Sequence, residues 1–231
     1  MKARGVVFDL DGTLVDNMAL HAEAFAEFMT RRGLPPLDET QRARLDGKRN
    51  TDIFPDLLGR VLPREELRAV SEEKESLYRT LSRGRLAPLA GLERLLEILA
   101  ANGIPIAVAT SGPAENVRHT LAELGLAERI TVIVRGDEVP RGKPHPDIFL
   151  AAAARLGVPP GECVAFEDAP AGVAAARAAG MVCVALTTSF SEDAFRAAGS
   201  APDYLIPDFE AFLSGSFREL MAVSAPAEEA R

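Results

Sequence analysis

Two pairs of acidic residues stand where apolar runs end in this sequence. Asp9 and Asp11 follow GVVF near the N-terminus, and Glu167 and Asp168 follow CVAF. A bare carboxylate is costly to bury, and several carboxylates gathered without a cation repel one another. Mg²⁺ takes oxygen ligands, usually from one or two carboxylates together with a substrate phosphate. The four carboxylates therefore predict a Mg²⁺ site.

Three more polar residues complete a set suited to phosphoryl transfer. Thr110 and Ser111 follow the run IPIAVA, and Lys143 lies in the loop RGKPHPD. One carboxylate can attack phosphorus to give an aspartyl-phosphate, while a second protonates the leaving oxygen and later activates water. A lysine and a hydroxyl would neutralise the phosphoryl oxygens. Thr110 and Ser111 also fit the start of a helix, whose first amides would bind phosphate in either case.

The apolar runs predict the strands that position these residues. Six runs have the composition of buried strands, at 5–9, 104–111, 130–137, 163–168, 181–187 and 203–206. Helical patterns that end at glycine lie at 92–103, 114–125, 146–157 and 170–180. Strands that alternate with helices predict an α/β fold with a Rossmann-like parallel sheet. Ligands bind such sheets at the carboxyl ends of the strands, where the polar residues collect.

The segment 17–83 breaks this alternation, because it contains helical patterns and no convincing strand. We expect it to form an inserted α-helical cap domain, with the α/β core made of 1–16 and 84–231. Its first helix is predicted over 17–33 and its last over 64–82.

The overall charge favours a small-molecule partner. The chain has 231 residues, 34 acidic and 26 basic, for a net charge of −8, and no basic cluster is interleaved with aromatic residues. This pattern argues against nucleic acid as a partner. An anionic substrate would need local cations or a metal ion to overcome the unfavourable charge.

Cysteine usage and the absence of long apolar runs predict a reduced, cytoplasmic protein without a membrane partner. Cys163 and Cys183 lie inside apolar runs and are expected in the core, not in a disulfide. The N-terminus has no signal-peptide core, and no run is long enough to span a bilayer. We expect a monomer or weak homodimer, and a tail at 224–231 that frays.

Four ordered motifs resemble those of the haloacid dehalogenase superfamily of phosphatases and phosphotransferases. DLDGT resembles the first motif. The resemblance implies that Asp9 is the nucleophile and that Asp11 is the general acid and base, with its backbone carbonyl on the metal. It also implies that Asp168 is a metal ligand.

The remaining motifs follow in the expected order along nearly the whole chain. Thr110 resembles the second motif, whose hydroxyl binds the transferring phosphoryl group, and Lys143 in GKPHPDIF resembles the third. FEDAPAGVAAARAAG resembles the fourth, which implies that Glu167 supports the metal site. The inserted helices resemble the α-helical cap of the branch that contains β-phosphoglucomutase and sugar-phosphate phosphatases.

Two cap residues have both a functional and a structural interpretation. The position of His21 resembles that of a histidine that couples cap closure to acid/base chemistry, but His21 also fits a helix residue packed near Phe25. Asn17 stands where the pattern has threonine. Lys74 interrupts an apolar stripe, so it either reaches the substrate or extends along that stripe to water.

The segment LDGKRNTDIF, residues 45–54, resembles a substrate-specificity loop through Leu45 and Gly47. Asn50 falls where the mutase has a phosphate-binding arginine, and Arg49 precedes it. A shift of one residue would give Arg49 that role. We therefore expect Ser111, His21, Gly47, Arg49, Asn50 and Lys74 to bind the substrate.

These observations predict a Mg²⁺-dependent phosphatase that acts on a small phosphorylated metabolite, such as a sugar phosphate. Two alternatives remain open at this point. In a β-phosphoglucomutase-type isomerase, the phosphoenzyme transfers its phosphoryl group to a sugar hydroxyl, which requires the cap to hold a second phosphate. In a non-catalytic protein, the same site would bind a phosphometabolite without turnover.

Overall fold

The computed structural model describes residues 3–45 and 47–221. The tail predicted to fray, at 224–231, lies outside these ranges. The helices and strands are, in chain order, β1 (Gly5–Phe8), α1 (Met18–Arg31), α2 (Glu39–Leu45), α3 (Asn50–Leu58), α4 (Arg64–Ser82), α5 (Leu92–Ala101), β2 (Ile106–Thr110), α6 (Ala114–Glu123), β3 (Ile133–Arg135), α7 (Asp147–Leu156), β4 (Cys163–Glu167), α8 (Pro170–Ala178), β5 (Val182–Leu186), α9 (Glu192–Ala197), β6 (Tyr204–Ile206), α10 (Phe209–Ser214) and α11 (Phe217–Leu220).

The strands form one parallel sheet in the order β3-β2-β1-β4-β5-β6. The predicted Rossmann-like α/β fold is confirmed. All of β1 is buried, and its alternate residues enter different cores: Val6 and Phe8 pack on one face of the sheet, and Val7 packs on the other. This alternation is expected when helices cover both faces of a parallel sheet.

The register of the central strands brings the polar residues together. Phe8 pairs with Val108 of β2 and with Phe166 of β4. The next residue, Asp9, is therefore level with Glu167 at the carboxyl edge of the sheet. A single edge thus carries the ends of three strands, as the sequence predicts.

The strand predicted over 130–137 is wrong in extent. Only Ile133–Arg135 pairs with β2, and Gly136–Glu138 forms a short 3₁₀ helix. The backbone N–H of Arg135 donates to the Glu138 carboxylate at 3.2 Å, which favours a turn over a longer strand.

Residues 18–82 contain α1 to α4 and, within the described residues, no strand. We call these helices the cap and the rest of the described chain the core. The cap has its own apolar cluster, which includes Phe25, Phe28, Phe54 and Val70. The domain boundaries at 17–83 stay a prediction.

Both cysteines are buried in the core and unpaired with each other, as expected for Cys163 and Cys183. Over the described residues, every helix is too short or too polar to cross a bilayer.

Candidate active site

Three buried carboxylates meet at the carboxyl edge of the sheet. One oxygen from each of Asp9, Glu167 and Asp168 lies within 4.8 Å of the others. Asp9 follows β1, while Glu167 ends β4 and Asp168 follows it. Such a group of hard oxygen donors fits Mg²⁺.

The charge state of these carboxylates supports the same fit. Burial, together with the charge of Glu167, raises the pKa of Asp9 to about 7 although Lys143 opposes the change. Burial and the charges of Glu167 and Asp9 raise the pKa of Asp168 well above its usual value. A divalent cation would stabilise both as carboxylates, because an opposite charge favours the ionised form. The donor set therefore fits the metal that the sequence predicts.

Lys143 lies between two members of this cluster. Its ammonium donates to Asp9 Oδ1 and to Glu167 Oε1, and it lies 5.4 Å from the centre of the Phe149 ring. Burial opposes the charge, but Asp9 and Glu167 raise the pKa of Lys143 above its usual value. Lys143 is therefore a fixed positive charge beside the Asp9 carboxylate.

Both carboxylate oxygens of Glu167 accept hydrogen bonds. Oε1 accepts from Lys143, and Oε2 accepts from the backbone N–H groups of Asp168 and Ala169 at 3.0 and 3.1 Å. A Cβ on Gly172 would lie 1.8 Å from Oε1, so only glycine leaves room for this carboxylate. These contacts favour a supporting role for Glu167 over direct ligation of the metal.

Asp168 is positioned by Ser189, which the sequence did not identify, and lies close to Gly12 of the first motif. Ser189, which follows β5, donates its hydroxyl to Asp168 Oδ2. Gly12 has a φ of +79°, and a Cβ there would lie 1.9 Å from the same oxygen. The position of Ser189 after an apolar strand was the available signal.

Asp11 points towards the cap instead of joining the three-carboxylate cluster. Its Oδ1 accepts a hydrogen bond of 2.6 Å from Asn17 and lies 3.5 Å from His21 Nε2. Burial favours the protonated acid, but His21 and Asn17 stabilise the carboxylate and hold the pKa of Asp11 below its usual value.

Asn17 is a site residue that sequence reasoning undervalued. It precedes α1, but its side chain does not cap that helix. Its amide instead donates to Asp11 and, at 2.6 Å, to Tyr78 of α4, while its oxygen accepts from the Gly12 backbone at 3.1 Å. Asn17 therefore connects the first motif to the cap.

His21 and Lys74 lie side by side in the wall of the cleft. Lys74 Nζ is 2.9 Å from His21 Nδ1 and 4.4 Å from the centre of the Phe25 ring. Lys74 is only 2% exposed, so its ammonium does not reach bulk water. The His21 ring stacks on Tyr78 with 3.8 Å between ring centres, which supports its packing interpretation, while its role in acid/base chemistry stays a prediction.

Lys74 has a buried counter-ion that the sequence did not identify, the adjacent Glu75. The distance between Lys74 Nζ and Glu75 Oε1 is 3.1 Å. Asn50 and Asn116 also donate to Glu75, at 2.9 and 2.6 Å. Burial opposes ionisation of Glu75, but Lys74 and its other partners hold its pKa below the usual value.

Thr110 and Ser111 lie at the end of β2 beside Asp9. The buried Thr110 hydroxyl accepts from the Gly112 backbone N–H at 3.0 Å. The Ser111 hydroxyl donates to the Gly47 carbonyl at 2.8 Å, which connects the core to the cap loop. The phosphate-binding role of Thr110 stays a prediction.

Arg49 is absent from the residues that line the cleft, and its predicted role in substrate binding stays a prediction. Its guanidinium donates to the Gly136 carbonyl at 3.2 Å and to Asp52 at 2.9 Å. A Cβ on Gly136 or Gly142 would lie within 3 Å of the Arg49 side chain, so both glycines make room for it. Arg49 therefore joins the cap to the core outside the cleft.

Most of these residues line one cleft between the cap and the core. Its lining comprises Asp9, Asp11, Met18, His21, Phe25, Leu45, Gly47, Lys48, Asn50, Ile53, Lys74, Glu75, Thr110, Ser111, Gly112, Pro113, Asn116, Lys143, Glu167 and Asp168. Of the predicted site residues, only Arg49 is absent from this lining.

Known proteins are similar to this chain in sequence and in fold. The family model of haloacid dehalogenase-like hydrolases matches residues 3–180. Hexitol phosphatase A of Escherichia coli is 38% identical, over 80% of this chain and 84% of that protein. β-Phosphoglucomutase of Bacillus subtilis is 33% identical, over 78% of this chain and 82% of that protein.

Solved structures agree with this assignment. A hydrolase of family IA from Entamoeba histolytica superposes with a TM-score of 0.80 at 31% identity, covering 91% of this chain and 94% of that one. The family that the sequence resembles is thereby confirmed. The chain belongs to the haloacid dehalogenase-like hydrolase family, in the branch of phosphoryl-transfer enzymes that includes these phosphatases and the mutase.

Proposed function

We propose that this protein is a Mg²⁺-dependent phosphatase that hydrolyses a small sugar phosphate through an aspartyl-phosphate on Asp9. The observation that carries the proposal is the arrangement of Asp9, Lys143 and Asp168 at one edge of the sheet, with Asp11 beside them. These are the groups that an in-line displacement on phosphorus requires.

The first half-reaction uses Asp9 as nucleophile. An Asp9 carboxylate oxygen attacks phosphorus, while the Lys143 ammonium and the Thr110 hydroxyl stabilise the charge on the phosphoryl oxygens. Mg²⁺, held by Asp9, Asp168 and the Asp11 carbonyl, would supply further positive charge to these oxygens. The bond from phosphorus to the leaving oxygen then breaks.

Asp11 carries the proton in both half-reactions. In the free enzyme its pKa is lowered, but a phosphate dianion bound nearby would raise it, because a like charge disfavours the carboxylate. Asp11 then protonates the leaving oxygen. In the second half-reaction, the resulting carboxylate takes a proton from water as that water attacks the aspartyl-phosphate.

Two cap residues that the sequence offers for a second phosphate are engaged in other contacts, which supports water over a sugar as the final acceptor. A mutase must hold a second phosphate, and that group needs cations or hydrogen-bond donors in the cleft. Arg49 is bound to Gly136 and Asp52 outside the cleft, and the Asn50 amide is bound to Glu75. Neither residue is free to clamp a phosphate in this arrangement.

Two measurements test the proposal. Phosphate release is first followed over a panel of sugar and polyol monophosphates with Mg²⁺, with Asp9→Asn as the inactive control. The protein is then incubated with β-glucose 1-phosphate, Mg²⁺ and a trace of glucose 1,6-bisphosphate, and phosphorus resonances are recorded. Free phosphate supports the phosphatase. Glucose 6-phosphate would establish the mutase instead, and no turnover in either assay would favour a binding protein.

A further inference from the structure

Glu75 is a buried carboxylate that the proposed reaction does not use. It lies on α4 in the wall of the cleft and is 3% exposed. Oε1 accepts from Asn50 and Lys74, and Oε2 accepts from Asn116 and, at 3.2 Å, from Lys74. An ionised carboxylate has about four lone-pair positions, so these contacts fill its capacity. Glu75 is therefore suited to holding other side chains in place and not to binding substrate itself.

One of its partners comes from the other side of the cleft. Asn50 and Lys74 belong to the cap, whereas Asn116 lies on α6 of the core. The Asn116 oxygen accepts from Arg79 of the cap at 2.8 Å, which orients its amide nitrogen towards Glu75. The hydrogen bond between Asn116 and Glu75 therefore forms only when the cap lies against the core.

A continuous set of contacts leads from Glu75 to Asp11. Glu75 holds Lys74, and Lys74 Nζ lies 2.9 Å from His21 Nδ1. Because an ammonium can only donate, Nδ1 is the acceptor and the ring proton is on Nε2. Nε2 is buried and faces Asp11 Oδ1 at 3.5 Å, with no hydrogen bond formed to any described residue. A small movement of the His21 ring would complete that bond.

We propose that Glu75 is a positioning residue for acid catalysis, completed by Asn116 when the cap closes. Glu75 holds Lys74 against His21, and His21 directs its Nε2 proton at Asp11. This inference rests on the proposed acid/base role of Asp11. It adds that protonation of the leaving oxygen depends on a hydrogen bond between cap and core.

Leaving-group dependence separates this role from a merely structural one. A sugar leaves as an alkoxide unless it is protonated, whereas p-nitrophenolate is stable enough to leave without a proton. Loss of acid positioning should therefore slow a sugar phosphate selectively. A general loss of structure or of cap closure should slow both esters alike.

The experiment compares kcat/KM for the sugar phosphate best turned over in the panel with that for p-nitrophenyl phosphate, in the full-length protein with Mg²⁺. Glu75→Gln should lower the value for the sugar phosphate at least about tenfold, as general acid catalysis contributes about 10²–10⁴-fold. The value for p-nitrophenyl phosphate should change less than about threefold. Asn116→Ala should also lower kcat/KM selectively for the sugar phosphate, but by a smaller factor. The double variant should lose no more activity than Glu75→Gln alone, because both changes act on the same hydrogen bond.

Glu65→Gln is the matched control, since Glu65 lies exposed on the same helix. It should leave both substrates unaffected. If Glu75→Gln does not fold, judged by circular dichroism, Asn116→Ala decides the question because it leaves the pair of Glu75 and Lys74 intact. An equal loss for both esters, or no loss for either, would overturn the inference while leaving the phosphatase in place. Failure of the wild-type protein to release phosphate would instead contradict the proposed function.

Discussion

The carboxylates on the two walls of the cleft have pKa values that are shifted in opposite directions. On the core side, burial and the charges of neighbouring carboxylates raise the pKa values of Asp9 and Asp168, although Lys143 opposes the change. On the cap side, Glu75 has a lowered pKa because Lys74 and two amides surround it. The core wall is short of positive charge and is suited to receive a cation, whereas the cap wall is already neutralised. The core therefore supplies the reacting charges, and the cap supplies fixed geometry.

The largest effect should come from removing the nucleophile on the core wall. Asp9→Asn keeps the shape of the side chain but lacks the attacking oxygen charge, so kcat should fall at least about 10³-fold. Phosphate release measures this loss, with circular dichroism as the check on folding. A variant that retained a tenth of the activity would show that Asp9 does not form the phosphoenzyme.

Metal binding should stabilise the core wall. Mg²⁺ at about 100 times its Kd should raise the free energy of unfolding by about 2.7 kcal/mol, and a chelator should remove the gain together with the activity. Thermal unfolding measures the shift. The change should be small in Asp168→Asn, because that variant lacks one ligand. Equal stabilisation of both proteins would place the metal elsewhere.

Removing the charge on the cap wall should destabilise the protein. Glu75→Gln leaves Lys74 without its counter-ion, and breaking a buried pair costs about 3–5 kcal/mol. Since the folded-state pKa of Glu75 is lowered, its carboxylate stabilises the fold above the unfolded-state value of 4.5. That contribution is lost as the pH falls through the folded-state pKa.

Urea unfolding of both proteins at pH 7 and below pH 4 measures this difference. The difference in the free energy of unfolding between the wild type and Glu75→Gln should be smaller below pH 4 than at pH 7. A difference that widened in acid would show that folding raises the pKa of Glu75 instead of lowering it.

The smallest effect on chemistry should come from Arg49, which lies outside the cleft. Arg49→Ala should leave kcat unchanged and raise KM by no more than about threefold, because it removes hydrogen bonds at a partly buried contact between cap and core. Lys48→Ala is the matched comparison, since the adjacent Lys48 lines the cleft. Steady-state kinetics on one sugar phosphate decides the comparison. A larger loss in Arg49→Ala than in Lys48→Ala would support the predicted role of Arg49 in substrate binding.

The core wall could be predicted from sequence because its residues are tied to strand ends. Once β1, β2 and β4 are identified, their parallel register fixes the level of Asp9, Thr110 and Glu167 without knowledge of any side-chain contact. The extent of β3 could not be predicted in the same way. It depends on a local hydrogen bond from Arg135 to Glu138, which apolar patterning does not report.

The cap wall was harder to predict because its contacts join different helices. Glu75 looks like one of several charged residues on α4, and its burial becomes evident only when Asn50 and Asn116 approach from two other helices. Arg49 and Asn50 are adjacent in sequence, but successive residues at a helix start point in different directions, so one leaves the cleft and the other enters it. The sequence alone does not show which side chains of different helices contact one another.

The chain passes between the cap and the core at two places, which suggest an axis about which the cap would rotate. At the first place, Asn17 is hydrogen-bonded to Gly12 and to Tyr78. At the second, Ser82 Oγ lies 2.8 Å from Nε2 of His119 on α6. A rotation about the line that joins these two places would move nearby atoms little. Atoms far from the axis would sweep the widest arc, in proportion to their lever arm. A label on the cap far from this line, paired with one on the core, would therefore report such a rotation more sensitively than a label near Asn17.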